Sequence, residues 1–198
     1  MLPSRKSIRL SGYDYSQSGM YFITICSHGK LPIFGNIIAK ILLLSEIGKI
    51  VNKEWQKTAT IRRNIELDDY VIMPNHLHGI ITIINDKGRG TVHRAPTHEI
   101  FGKPTTNSIP TIIRSFKATT TKQINILRNS PGSKVWQRGY YEHVIRNEEA
   151  LERIRDYIVT NPENWSSDID NPDQSGKDFF KAWLDQYNIA KPIDNPNN

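Results

Sequence analysis

The strongest constraint on the fold is a pair of strand-like runs joined by the short link Pro74-Asn75. The first run, Ile65–Met73, alternates polar and apolar residues before it becomes apolar. The second run, His76–Ile84, follows at once and contains the apolar sequence IITII. Two strands with so short a link are expected to pair as antiparallel neighbours. The sequence therefore predicts an antiparallel sheet that includes this pair.

Further strands and helices surround the pair. Tyr21–Ser27 is rich in β-branched and aromatic residues, and Val135–Ile145 has a similar composition, which is typical of strands. The order of strands, helix, two adjacent strands, helix, strand and helix predicts an α+β fold with an antiparallel sheet and helices on one side. The predicted helices follow a cap at Ser45, cover Ser108–Arg128, and run from a cap at Asn147 to about Thr160.

Charge divides the chain into a basic body and an acidic tail. Residues 1–165 contain 23 Lys+Arg and 14 Asp+Glu, whereas residues 166–198 contain 3 and 6. A basic body fits a polyanion-binding surface, although a solvated basic face gives the same composition. We therefore predict one domain over 1–165, which begins with a basic arm, and a partly helical tail over 166–198.

Several classes of protein are disfavoured by the composition. The single cysteine, Cys26, excludes an internal disulfide and a cysteine-based zinc site. No apolar run approaches the roughly 18 residues of a membrane span, and the N-terminus lacks the apolar stretch of a secretory signal. We expect a cytoplasmic protein that does not enter a membrane.

The sequence His76-Leu77-His78 lies on the second strand of the pair. Residues i and i+2 of a strand point to the same face, about 6.6 Å apart along the chain. Two imidazoles in this arrangement can share a metal ion if a further polar group joins them. The alternative is a pair of half-exposed surface histidines.

A second polar constellation occurs near the end of the last helix. Tyr157 and Asn161 are four residues apart, so they fall on one helical face. A phenol can act as a nucleophile, and an amide oxygen can join two imidazoles around a divalent ion. Alternatively, Tyr157 is an ordinary helix-flank aromatic and Asn161 an ordinary C-terminal cap before a proline.

The chain resembles the HUH single-tyrosine transposases, and among them the REP-associated tyrosine transposases. The resemblance covers roughly residues 5–165. It is carried by the sequences RKSIRLSGYDYSQSGMYFITIC at 5–26, VIMPNHLHGIITI at 71–83, SIPTIIRSFKATTTKQIN at 108–125, and VWQRGYYEHVIRNEEALERIRDYIVTNPENW at 135–165.

The resemblance implies a ferredoxin-like α+β domain that nicks and transfers DNA strands through a covalent 5′-phosphotyrosine intermediate. It implies Tyr157 as the nucleophile, His76, His78 and Asn161 as ligands of Mg²⁺ or Mn²⁺, and single-stranded or hairpin DNA, as in repetitive extragenic palindromes (REP elements), as the substrate. Relatives in insertion sequences often have glutamine where this chain has Asn161. The chain lacks the Gly-rich phosphate loop of ATPases, which agrees with a reaction that conserves bond energy.

Other polar residues are weaker candidates. Tyr140 and Tyr141 are competing nucleophiles, but neither has a polar ligand one helical turn away. His143 could approach the metal or have a structural role, and His93 and His98 lie in a predicted loop. The basic and aromatic candidates for DNA contact are Arg5, Lys6, Arg9, Arg62, Arg63, Arg114, Lys117, Lys122, Trp136 and Arg138.

Two other functions stay open at this point. The first is a hairpin-DNA-binding protein that has lost cleavage. The second is a small metal-dependent hydrolase that uses His76 and His78 and does not need Tyr157. The sequence also leaves open whether the chain acts as a monomer or a homodimer.

Overall fold

The computed structural model describes residues 13–84, 107–168 and 170–172. Within these ranges the chain forms a four-stranded sheet, a separate two-stranded hairpin and three α-helices. The strands are β1 (Gly19–Cys26), β2 (Gly35–Ile38), β3 (Ile41–Leu44), β4 (Ile65–Ile72), β5 (His76–Ile83) and β6 (Tyr141–Ile145), and the helices are α1 (Glu46–Thr60), α2 (Ile109–Leu127) and α3 (Glu148–Thr160).

The four-stranded sheet has the order β4-β5-β1-β6, and every neighbouring pair in it is antiparallel. The pairing of β4 with β5 is the one that the short Pro74-Asn75 link predicts. Helix α1 connects β1 to β4 across β5, and α2 connects β5 to β6 across β1. This is the split βαβ arrangement of ferredoxin-like folds, so the predicted α+β class is confirmed.

The helices cover both faces of the sheet. Helices α1 and α2 pack on one face, through residues that include Trp55 and Phe116. Helix α3 packs on the opposite face, where Ile154 lies in one apolar cluster with Phe22 and Ile80. The prediction that the helices share one face holds for the two crossover helices and is wrong for α3. The central strands carry apolar side chains on both faces, so the second face also needs a cover.

Two helices begin at the caps that the sequence predicts. The Ser45 hydroxyl accepts a hydrogen bond from the Gly48 amide (3.1 Å), and the Asn147 side chain accepts one from the Ala150 amide (2.8 Å). Each bond satisfies an amide that has no partner inside its helix. Among the described helices, none is both long and apolar enough to cross a membrane.

Some predicted features lie outside the described residues. They are the arm residues Arg5, Lys6 and Arg9, the loop residues His93 and His98, and residues 173–198 of the predicted tail.

Gly79 follows the histidine pair and allows α1 to approach β5 closely. A Cβ atom at this position would lie 2.6 Å from Trp55 Cζ2 and 3.0 Å from Tyr70 Cβ. We expect Gly79→Ala to lower the free energy of unfolding by about 1–3 kcal/mol, because the fully buried Trp55 has little room to move. Chemical denaturation would measure this loss.

Gly139→Ala is the matched control, since a Cβ atom there meets nothing within 4 Å. If both substitutions changed the unfolding free energy equally, close packing of Trp55 on Gly79 would not be the cause.

Candidate metal and tyrosine site

The two histidines of β5 lie side by side beneath α3 and the turn that follows it. His76 is 0% exposed and His78 is 2% exposed, and their ring centroids are 4.4 Å apart. The ring of Trp165 lies 6.1 Å from that of His76, and the ring of Tyr157 lies 5.1 Å from that of His78. The alternative of half-exposed surface histidines is therefore wrong.

His78 is held between β1 and α3. Its Nδ1 atom lies 2.8 Å from the hydroxyl of Thr24, the residue directly opposite it on β1. Its ring stacks on Phe22 with a centroid distance of 5.4 Å. Its Nε2 atom lies 3.1 Å from the Tyr157 hydroxyl. The structure thus brings together the strand histidine and the helix tyrosine that the sequence singles out.

His76 is held by its neighbour in the chain and faces a carboxylate. Its Nδ1 atom lies 2.8 Å from Asn75 Oδ1. Its Nε2 atom is 3.9 Å from an oxygen of Asp168 and has no hydrogen-bond partner among the described residues. A buried nitrogen of this kind is costly unless a proton or a cation reaches it.

Asp168 completes a group that we call the His-His-Asp cluster, made of His76, His78 and Asp168. One ligand atom from each of the three residues lies within 4.8 Å of the others, and all three residues are buried. Sequence reasoning missed Asp168 because it assigned this residue to the acidic tail. The available signal was an acidic residue soon after the last helix, in the stretch NPENWSSDID.

Burial shapes the ionisation of the His-His-Asp cluster. It raises the pKa of Asp168 to about 6, and it lowers the pKa of His76 to about 3. Burial and the neighbouring His76 also hold the pKa of His78 well below its usual value. At neutral pH the cluster therefore has two neutral imidazoles and a largely ionised carboxylate, which is a donor set for a divalent cation.

Asn161 lies close to the His-His-Asp cluster at the end of α3. The residue is 3% exposed, and its side chain lies near enough to Asp168 to lower the pKa of that carboxyl, against the larger effect of burial. Its Oδ1 atom is buried and has no hydrogen-bond partner among the described residues. Asn161 therefore lies near the proposed carboxylate ligand, and its own role as a ligand stays a prediction.

Tyr157 is the tyrosine whose hydroxyl reaches the His-His-Asp cluster. Tyr141 packs against Phe22 on the same face of the sheet as α3, and burial raises its pKa to about 12. Tyr140 packs against the apolar core on the opposite face of the sheet, where α1 and α2 lie.

His143 lies on β6, opposite Phe22 of β1. Burial, and to a smaller extent the charge of Arg146, lowers the pKa of His143 to about 4. Its position on the sheet and its burial fit a structural role.

Two of the residues predicted to contact DNA have other roles. Trp136 is 8% exposed, and its indole nitrogen donates to the hydroxyl of Thr120 (2.9 Å), so its ring is not available to stack on a base. The Lys117 ammonium donates to the carbonyls of Gln137 (2.9 Å) and Gly139 (2.6 Å), so it fastens that loop to α2. These placements argue against the predicted DNA contacts of both residues.

The remaining described candidates for DNA contact differ in exposure. Arg62 is half-buried, and burial lowers its pKa. The exposed candidates are Arg63, Arg114, Lys122 and Arg138.

The chain is similar to a known protein in sequence and to a solved structure in fold. No protein-family model matches the chain. An uncharacterized protein of Haemophilus influenzae (strain Rd) is 41% identical over 166 residues, which cover 83% of this chain and 91% of the relative. A REP-associated tyrosine transposase solved with a REP hairpin has a TM-score of 0.51 and 20% identity, covering 83% of this chain and 74% of that one. This second likeness shows a shared fold.

A further solved structure, of a candidate transposase from Deinococcus radiodurans R1, has a TM-score of 0.42 and 15% identity. It covers 77% of this chain and 97% of that one. At this TM-score it adds nothing to the assignment of the fold.

Proposed function

The chain belongs to the same family as the Haemophilus influenzae protein, and we propose that it is an HUH-type tyrosine transposase. In this proposal it nicks single-stranded, hairpin-forming DNA and transfers the cut strand, with Tyr157 as the nucleophile. The observation that carries the proposal is the 3.1 Å distance between the Tyr157 hydroxyl and Nε2 of His78, within the buried site that holds Asp168. Its fold is shared with a REP-associated tyrosine transposase that was solved with a REP hairpin.

The residues of the His-His-Asp cluster fit a divalent metal ion. Their ligand atoms lie within 4.8 Å of one another, whereas two ligands of one ion at about 2.1 Å each are at most about 4.2 Å apart. A pair of atoms at the 4.8 Å limit would have to move closer by at least about 0.6 Å before both could bind one ion. The Nε2 atom of His76, which has no hydrogen-bond partner in the part of the chain that the structure describes, supports this fit. Mg²⁺ or Mn²⁺ bound there would polarise a phosphoryl oxygen and orient the phosphate.

The side chains around Tyr157 position its phenol for attack on a phosphodiester. The Tyr157 oxygen forms a bond to phosphorus, the bond from phosphorus to the 3′ oxygen breaks, and the phenol proton is balanced by the proton gained at the leaving 3′-hydroxyl. One phosphodiester replaces another, so the step needs no ATP. Tyr157 lies in the apolar cluster of Phe22 and Ile154, which limits its motion and holds the hydroxyl over the strand histidines.

The test is direct detection of the covalent intermediate. The full chain is incubated with a hairpin oligonucleotide and Mg²⁺ or Mn²⁺, and mass spectrometry searches for a nucleotide-bearing peptide that contains Tyr157. A band shift with neither adduct nor nick would favour the DNA-binding protein without cleavage. Cleavage without any adduct would favour the metal-dependent hydrolase.

The proposed DNA contacts predict a defined salt dependence. Arg114 and Lys122 are exposed on α2. If each neutralises one phosphate of single-stranded DNA, changing either to alanine should reduce the slope of log K against log salt by about 0.7. Fluorescence anisotropy with a labelled hairpin oligonucleotide would measure the slope.

Lys49→Ala is the control for this series, because the Lys49 ammonium on α1 pairs with Glu46 at 2.6 Å. It removes one positive charge from a surface that the proposal does not use. An equal change of slope in all three variants would contradict specific contacts by α2.

Metal affinity should depend on pH through Asp168. Its pKa is raised to about 6 by burial, and it must be ionised to bind a cation. We expect the affinity for Mn²⁺ to be constant at pH values above the pKa of Asp168 and to fall about tenfold per pH unit below it. His76, with a pKa of about 3, stays neutral throughout. Isothermal titration calorimetry across this range would detect the change, and Asp168→Asn should remove it. A similar pH slope in that variant would assign the titration to another group.

A further inference from the structure

We propose that Asn75 is a positioning residue that keeps His76 in the tautomer whose Nε2 lone pair faces Asp168. The value of this tautomer to the reaction rests on the function proposed above. The tautomer itself is a property of the metal-free protein, so it can be measured independently. The starting observation is the 2.8 Å contact between Asn75 Oδ1 and His76 Nδ1 in a fully buried setting.

The orientation of the Asn75 amide is fixed by two backbone carbonyls. Its Nδ2 atom donates to the carbonyl of Lys30 (2.9 Å) and also to the carbonyl of Asp170. A carbonyl oxygen can only accept, so the amino group of Asn75 must face these two atoms. The amide oxygen of Asn75 is therefore the atom that faces His76.

This orientation determines which nitrogen of His76 carries the proton. An amide oxygen only accepts hydrogen bonds, so the ring nitrogen in contact with it, Nδ1, must be the donor. A neutral imidazole has one ring proton, which leaves Nε2 of His76 with a lone pair. The Nε2 atom lies 3.9 Å from a carboxylate oxygen of Asp168 and has no hydrogen-bond partner among the described residues. Two electron-rich atoms at this distance are suited to a cation between them.

The contact of His78 does not impose a tautomer in the same way. Its Nδ1 atom lies 2.8 Å from the hydroxyl of Thr24, which can donate or accept. The side-chain hydrogen bonds of Asn75 run to His76, Lys30 and Asp170. His78 is therefore an internal reference in any measurement of what Asn75 does to His76.

Asn75 also fastens the segment that carries the carboxylate. Asp170, whose carbonyl it binds, is two residues beyond Asp168 and forms an ion pair with Lys30 at 2.6 Å. A purely structural role for Asn75 would act through this fastening alone. The experiment must therefore separate the acceptor function of the amide from its donor function.

Asn75→Ala removes both functions, whereas Asn75→Asp keeps an acceptor for His76 and loses the amino group. Long-range ¹H–¹⁵N correlation spectra of the metal-free protein at neutral pH report the tautomer of each histidine. We expect the Nδ1-protonated form for His76 in the wild type and in Asn75→Asp. In Asn75→Ala we expect a mixture at His76 and an unchanged His78. Titration of the same samples with Mn²⁺ should show a 10–100-fold weaker affinity for Asn75→Ala than for Asn75→Asp.

Specific results would overturn the proposal. One is an Nε2-protonated His76 in the wild type, which can be seen even if Asn75→Ala does not fold. Another is an equal loss of Mn²⁺ affinity in both variants while Asn75→Asp keeps the tautomer, which would assign Asn75 to fastening alone. The expected tautomer in a protein that forms no DNA adduct would support the role of Asn75 and contradict the transposase.

Discussion

Tyr157→Phe is expected to abolish the covalent protein–DNA adduct and to lower strand cleavage by at least about a thousandfold, as is typical when a nucleophile is removed. The substitution removes only the hydroxyl, which lies 3.1 Å from Nε2 of His78. The ring can keep its edge-to-face contact with Phe22, whose centroid is 6.2 Å away. Binding of the hairpin oligonucleotide should therefore change little. Single-turnover cleavage with a labelled oligonucleotide, together with intact-protein mass spectrometry, would measure both effects.

The matched control is Tyr141→Phe. Tyr141 is also partly buried, contacts Phe22 on the same face of the sheet, and differs in that it belongs to β6. We expect it to retain cleavage and the adduct at Tyr157. An adduct on Tyr141 in the wild-type protein would reassign the nucleophile. Full cleavage activity in Tyr157→Phe would instead support a hydrolase that uses water.

The stability of Tyr157→Phe distinguishes a chemical role from a structural one. Loss of a single hydrogen bond to a buried imidazole costs about 1 kcal/mol in unfolding free energy. A change of that size leaves a protein of ordinary stability folded. A thousandfold loss of cleavage in a variant that is still folded could not be explained by unfolding.

The features that sequence alone predicts here are those with local causes. A cap at Ser45 is recognised from its own residue type and the apolar spacing after it, and the structure confirms it. The pairing of β4 with β5 follows from the three-residue link between them. The shared direction of His76 and His78 follows from the two-residue period of a strand. Each of these inferences needs only neighbouring residues.

The features that were missed depend on packing between distant parts of the chain. Trp136 is an ordinary strand-like residue in the sequence, but its indole nitrogen bonds Thr120, 16 residues earlier on α2. Lys117 lies on an amphipathic helix, and only the tertiary fold brings the carbonyls of Gln137 and Gly139 to its ammonium. Asp168 reaches the histidines through a turn and a short 3-10 helix (Trp165–Ser167) after α3, and these are too short to give a periodic sequence pattern. The excess of acidic residues over 166–198 instead placed Asp168 in the predicted acidic tail.

Asp168→Asn is expected to lower the affinity for Mn²⁺ by at least about a hundredfold and to stabilise the metal-free protein. The first effect follows from loss of the carboxylate of the His-His-Asp cluster. The second follows from the pKa of Asp168, which burial raises from 3.8 to about 6. At neutral pH the folded state holds an ionised carboxylate that the unfolded state ionises more easily. Removing that charge should contribute about 3 kcal/mol of stability at most.

Asn161→Ala tests the ligand that the sequence predicted. If Asn161 acts by hydrogen-bonding Asp168, its removal should weaken Mn²⁺ binding by roughly tenfold, in the range seen when the partner of a ligand is lost. If Asn161 is itself the third ligand, Asn161→Ala should lower the affinity for Mn²⁺ at least as much as Asp168→Asn does. Asn164→Ala is the matched control, because Asn164 is exposed, its amide donates to the carbonyl of Thr160, and it lies outside the His-His-Asp cluster.

Asp168→Asn should therefore raise stability and lower metal affinity at the same time. Denaturation without metal measures the stability, and calorimetry with Mn²⁺ measures the affinity. A folded protein that keeps a destabilising buried carboxylate beside two neutral histidines is consistent with selection for cation binding at the expense of stability. An Asp168→Asn protein that binds Mn²⁺ as tightly as the wild type would remove the carboxylate from the site. The histidine pair and Asn161 would then be the ligands, as the sequence resemblance implies.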